Sequence, residues 1–97
     1  MTLSQRYPGA ALVTGASAGI GESFANALAR EGCPLVLVAR RGDRLEVIAE
    51  RLRSAYGVEV LVVALDLTTP GAVSTLSNTV KQANWQVSIV VNNAGIG

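Results

Sequence analysis

Histidine is absent from the sequence, and cysteine occurs once, at Cys33. An internal disulfide is therefore excluded, and there is no imidazole or thiolate cluster from which to build a zinc-type centre, so no structural metal is expected. Aromatic residues make up 4% of the chain and charged residues 15%. Rings that stack on single-stranded bases and charge that keeps a segment disordered are both scarce. The 8 basic side chains nearly balance 7 acidic ones, for a formal net charge of +1. Such a balance gives no field to draw the molecule onto nucleic acid or an anionic membrane. Long apolar runs are missing too: the longest, Val60 to Leu65, is far below the roughly 18 residues that signal a membrane span. Met1 to Gly9 holds one charge, Arg6, and reaches Pro8-Gly9 without a signal peptide's apolar stretch, so a cytoplasmic location is expected.

What is present is a chain of 97 residues, 49% apolar and with 10 glycines, enough for one compact core. Ala10 to Thr14, Leu35 to Ala39 and Val60 to Leu65 are almost continuously apolar and rich in valine and leucine, as strands covered on both faces are. Val87 to Val91 makes a fourth such run, broken only by Ser88. The intervening segments have a helical period. A first helix is expected from near Gly19 to before Gly32, with Ile20, Phe24, Ala27 and Leu28 as its buried stripe. A second is expected to open on an Asp43/Glu46 capping box, to bury Leu45, Ile48, Ala49 and Leu52, and to stop at Gly57. A third, less regular helix has Thr69 and Pro70 as cap and first position, with Val73, Leu76 and Val80 on one face. Alternating strands and helices with buried strands imply an α/β fold: a Rossmann-type, doubly wound parallel sheet, here about four strands and three helices. Ligands of such sheets lie beyond the carboxyl ends of the strands.

The turn after the first strand reads Thr14-Gly15-Ala16-Ser17-Ala18-Gly19-Ile20-Gly21. Gly15 can turn tightly out of the strand, Gly19 lets phosphates approach the helix start, and Gly21 allows close packing. Amides near Ser17, Gly19 and Ile20 would supply the donors. A glycine turn chosen only for packing is the competing reading. An ATPase-type phosphate loop is excluded, because Gly21 is followed by Glu22 rather than lysine. Lys81, the sole lysine, reads as a solubilising surface charge. About 20 residues past the glycines, where Asp or Glu usually holds ribose hydroxyls, the sequence has Ala39 followed by Arg40 and Arg41. Paired guanidinium groups suit a 2′-phosphate, so NADP(H) is favoured over NAD(H) as cofactor. The alternative makes both arginines solvated residues at the start of a helix that also holds Arg44, Arg51 and Arg53.

Thr14 to Gly21, Asp66 at the end of the third strand, and Asn92-Asn93-Ala94-Gly95 after the fourth together resemble the N-terminal part of a short-chain dehydrogenase/reductase. The resemblance covers the chain from Ala10 onward and about two-fifths of an ordinary family member. It implies that Asp66 accepts from the adenine amino group, that Leu67 offers a backbone contact to the ring, and that Asn93, Ala94 and Gly95 line the nicotinamide-side ribose. It also implies that the asparagine pair ties neighbouring strands. On chemistry alone, Asp66 serves equally to cap the next turn through Thr68 and Thr69.

The family's Tyr-x-x-x-Lys pair and its catalytic serine have no counterpart here: Tyr7 is followed four positions on by Ala11, and Tyr56 by Val60. No catalytic residue is assigned, and the 97 residues alone are expected to be inactive. Tyr7, Tyr56 and Trp85 are expected to cover apolar surface. In the complete family architecture the fourth strand is central, so Val87 to Val91 is expected to form an open apolar edge that promotes self-association. Two functions remain: the NADP(H)-binding part of an oxidoreductase moving a hydride between nicotinamide and a carbonyl or alcohol, or a dinucleotide-binding or interaction module without catalysis.

Overall fold

The computed structural model describes residues 9–17 and 19–93. Tyr7, Ala18, Ala94 and Gly95 lie outside the described residues. In chain order the elements are β1 (Ala10–Thr14), α1 (Gly19–Arg30), β2 (Leu35–Ala39), α2 (Gly42–Tyr56), β3 (Val60–Ala64), α3 (Ala72–Gln82) and β4 (Val87–Val91). All strands pair in parallel, in the order β3-β2-β1-β4.

That order explains the layers. From β1 through β2 to β3 the chain advances in one direction, and right-handed crossovers put α1 and α2 on the same face. The next strand lands on the far side of β1, so α3 crosses the other face. Side-chain alternation along the strands feeds both cores. Ala11, Val13, Leu35 and Leu37 pack with Ala25, Leu28 and Ala29 of α1 and Leu45, Ile48 and Leu52 of α2. Ala10, Leu12, Val36, Val38 and Val63 pack with Leu76 and Val80 of α3, and Trp85 covers this second core as expected.

Only β1 and β2 are buried throughout; β3 and β4 are half-exposed. The expectation that every strand is covered on both faces is thus corrected for the outer pair, which lie at the sheet's edges. In β4, Val90 is 64% exposed. The pairing of β4 with β1 skips a residue between Ala10↔Val87 and Ala11↔Ile89, leaving Ser88 as a bulge. Its hydroxyl oxygen accepts from the backbone N–H of Gly9 at 2.8 Å. Past the bulge the alternation is inverted, so Val87 packs with the α3 core while Ile89 and Val91 pack with the other.

Three helix expectations change. In α1 the buried face is Gly21, Ala25, Leu28 and Ala29, while Ile20 and Phe24 are 55% and 46% exposed. Small residues four apart let the helix axis approach the sheet, which bulkier Ile20 and Phe24 would prevent. In α2 there is no capping box: the chain enters the helix at Gly42 with Arg41 as N-cap, so Asp43 sits inside the first turn. The buried face and the left-handed stop at Gly57 are as expected. In α3 the helix starts at Ala72 behind Gly71, because Thr69 is used in the preceding turn, its N–H donating to Asp66 O at 3.2 Å. Ala72, not Val73, joins Leu76 and Val80 inside; Val73 is 72% exposed. Tyr56 is 37% exposed, and its hydroxyl donates to Oδ1 of Asn26 at 3.3 Å, linking α2 to α1. Cys33 is buried, and burial pushes its thiol pKa up, with the charge of Glu31 adding to the shift.

Candidate dinucleotide site

The carboxyl ends of the four strands open onto one cleft of about 540 Å³, beside the point where the strand order reverses. Gly15, Ser17, Gly19 and Ile20 line it from the β1–α1 turn, Arg40 and Arg41 from the end of β2, Asp66 and Leu67 from the end of β3, and Asn93 from the end of β4. Val38, Ala39, Leu65 and Thr68 also line it. The sequence marks Val38 and Leu65 as strand ends, Ala39 as the residue in the ribose-binding position and Thr68 as a turn partner of Asp66, without assigning any of them to the site. Their signal was position alone.

The glycines divide the work. Gly19 has φ +56°, and a Cβ placed there would meet nothing within 4 Å, so the backbone faces open space. At Gly21 the reverse holds: a Cβ would collide with Gly15 O and lie 2.9 Å from Nδ2 of Asn93. Gly21 is thus buried under the loop, packed against Gly15 and Asn93, and does not itself line the cleft. Thr14 ties this arrangement to β4. Its hydroxyl oxygen accepts from the N–H of Asn93 at 2.7 Å, and the hydroxyl lies 3.2 Å from Oδ1 of Asn92, to which it donates. The asparagine pair therefore does join neighbouring strands. Oδ1 of Asn93 is buried without a hydrogen-bond partner among the described residues. A group so placed carries a desolvation penalty that a ligand donor would relieve.

Asp66 takes part in its own turn: Oδ1 accepts from the N–H of Thr68 at 2.9 Å and from its hydroxyl at 2.6 Å. The Thr68 hydroxyl, followed by its N–H, holds the Asp66 carboxyl below its usual range; nearby Arg40 adds in the same direction. An ionised carboxylate that keeps Oδ2 outside the turn is an acceptor for an exocyclic amine. Thr69 contributes differently, its hydroxyl donating to the Asp66 backbone oxygen at 2.7 Å. Turn-forming and cleft-lining positions are therefore compatible in this residue.

The five arginines at and after β2 separate by what they touch. Arg44 and Arg51 both reach Glu22 of α1, and Arg53 donates to Val60 O at 2.6 Å. Arg41 has only a loose, exposed approach of 3.9 Å to Asp43. Arg40 is exposed at the cleft, and its guanidinium has no hydrogen bond among the described residues.

Comparison with known proteins follows the same lines. The family described as short chain dehydrogenase matches residues 9–97. The chain belongs to that family. It is 40% identical over 76 residues to the 7beta-hydroxysteroid dehydrogenase of Collinsella aerofaciens, covering 78% of this chain and 29% of that protein. The L-sorbose reductase of Gluconobacter frateurii, solved with NADPH and L-sorbose, superposes with a TM-score of 0.85 at 44% identity, over 92% of this chain and 34% of that one. The alcohol dehydrogenase of Thermococcus sibiricus, solved with 5-hydroxy-NADP, gives 0.80 at 45% identity, over 84% and 35%. The chain thus spans about a third or less of the length of these relatives. The relatives are oxidoreductases, and neighbouring structures hold nicotinamide dinucleotides. Among the described residues no helix is long and apolar enough to cross a membrane.

Proposed function

We propose that this chain forms the NADP(H)-binding part of a cytoplasmic oxidoreductase that transfers a hydride between nicotinamide and a carbonyl or alcohol substrate. The observation that carries the reading is the convergence of the glycine turn, Arg40, Asp66 and Asn93 on one cleft. The residues fit the cofactor: a backbone opening at Gly19 admits a diphosphate, and the orphaned Oδ1 of Asn93 awaits a donor. When bound, the nicotinamide supplies the hydride acceptor or donor. Amides of Ser17, Gly19 and Ile20 at the start of α1 hold the diphosphate, helped by the positive end of the helix dipole. Arg40 and Arg41 take the 2′-phosphate, for which a fork of N–H donors is matched. Asp66 accepts from the adenine amino group and Leu67 contacts the ring, while Asn93, Ala94 and Gly95 line the second ribose. Gly15 and Gly21 shape the loop.

Calorimetric titration of the purified chain with NADPH and with NADH tests this. Micromolar binding that favours NADPH is the expected result. A well-folded chain that binds neither overturns the dinucleotide reading. The same reading has the open β4 edge pairing with another copy. Its test is mass by light scattering across a concentration series, and a monomer throughout counts against it.

A further inference from the structure

The glycine loop is gripped from outside the cleft by a side chain of α2. Arg44 donates from Nε to the carbonyl oxygen of Ser17 at 2.9 Å and from Nη2 to Oε1 of Glu22 at 3.2 Å. Glu22, in the first turn of α1, receives a second arginine on its other oxygen, with Nη2 of Arg51 2.9 Å from Oε2. Arg44 and Arg51 lie two turns apart on α2, so they reach the carboxylate from the same helix face. The Glu22 side chain is 23% exposed, well below the two arginines that flank it. One carboxylate is thus fixed from two sides, and it fixes in turn the guanidinium that holds the loop.

Exposed ion pairs of this kind contribute little to folding, so stability is a weak reason for the arrangement. Its geometric effect is larger. A loop whose glycines adopt positive φ at Gly15 and Gly19 has backbone freedom that a binding event must otherwise remove. Arg44 removes it beforehand. It also neutralises the partial charge of a carbonyl at the rim of a cleft meant for an anion.

We propose that Arg44, oriented by Glu22, is the positioning residue of the anion cradle and does not itself bind the 2′-phosphate. The inference rests on the dinucleotide reading above and deepens it by dividing the arginines. Arg40 and Arg41 discriminate between cofactors; Arg44 serves both cofactors equally.

The test is calorimetric titration with NADPH and NADH of the unaltered chain and of Arg44→Met, Arg44→Lys, Glu22→Gln and Arg40→Ala, each with a thermal melt. Arg44→Met is expected to weaken both cofactors by the same factor, roughly three- to tenfold, with their ratio preserved. Glu22→Gln lowers both affinities less, and a fifth variant that combines Glu22→Gln with Arg44→Met loses no more than Arg44→Met alone, because the two act through one contact. Arg44→Lys recovers part of the loss. Arg40→Ala, in contrast, lowers the ratio of NADPH to NADH affinity. Loss confined to NADPH in Arg44→Met overturns the inference by making Arg44 a phosphate ligand. Unchanged affinities overturn it by reducing the contact to a surface ion pair. Should Arg44→Met fail to fold, Glu22→Gln carries the same two outcomes. If the unaltered chain binds neither dinucleotide, the reading of the cleft falls first and this inference falls with it.

Discussion

The two ends of the sheet treat their polar groups in opposite ways. At the amino end they are closed on the chain itself: Ala10 N donates to Gln86 O at 2.7 Å, Leu35 N to Glu59 O at 2.9 Å, and Gly9 N to the Ser88 hydroxyl oxygen at 2.8 Å. At the carboxyl end Oδ1 of Asn93 is buried without a partner among the described residues, and Asp66 and Arg40 face a cleft. Parallel strands make this division possible, since one end of every strand meets the same side of the molecule. One end completes the fold, and the other leaves polar groups facing a cleft.

Substitutions at the two ends should therefore separate binding from stability. The largest effect on cofactor preference is expected from Arg40→Asp, which places a carboxylate where the reading has a 2′-phosphate. NADPH affinity should fall by roughly 100-fold relative to NADH, with little change in the thermal melt. A variant that still prefers NADPH in calorimetry would remove Arg40 from the site. Gly21→Ala comes next and breaks the separation on purpose, because its new Cβ meets Gly15 and Asn93. Urea denaturation should show a loss of about 1–3 kcal/mol together with lost binding. Gly19→Ala, with open space around it, should cost only about 1–2 kcal/mol from its positive φ while still abolishing binding. At the amino end, Ser88→Ala leaves the N–H of Gly9 without its acceptor. A stability loss near 1 kcal/mol is expected, with cofactor affinity untouched.

The smallest effect concerns pH. Hydrogen bonds from Thr68 lower the Asp66 pKa in the folded state below its ordinary value of 3.8. The stabilisation is therefore complete above that ordinary value and is lost as pH falls through the lower folded one. Thr68→Ala removes the largest cause, so the Asp66 carboxyl resonance should titrate at higher pH, nearer 3.8. An unmoved titration in carboxyl-detected NMR would show that the hydroxyl is not what holds the charge.

Much of this molecule was legible in the sequence because its strands are short apolar runs and its turns carry glycine. The strand boundaries and the order of elements follow from those two signals. Burial on the outer strands was not legible in the runs themselves: Val60 to Ala64 looks as apolar as the central pair and differs only in having a neighbour on one side, and the open edge at Val87 to Val91 was expected from the resemblance alone. The inner face of α1 was misread for a related reason: hydropathy gives weight to Ile20 and Phe24, whereas close approach selects Gly21, Ala25 and Ala29. At the candidate site, the loop, Arg40 and Asp66 are visible as local motifs. The contact from Arg44 to Ser17 spans 27 residues and depends on how α2 lies beside the loop, which no local pattern records.

Thr14 and Val91, whose hydroxyl and carbonyl oxygens lie 3.4 Å apart, are separated by 77 residues in sequence. β1 therefore leaves the ribosome long before β4 exists to pair with it. At about 5–20 residues per second, one flank of β1 waits about 4–15 s for its neighbour. β2 can cover the other flank much sooner. Chaperone demand during synthesis should therefore concentrate on the β4 side of β1, and the rate of refolding in vitro should be governed by closure of this pair, the most distant in sequence among the described strands.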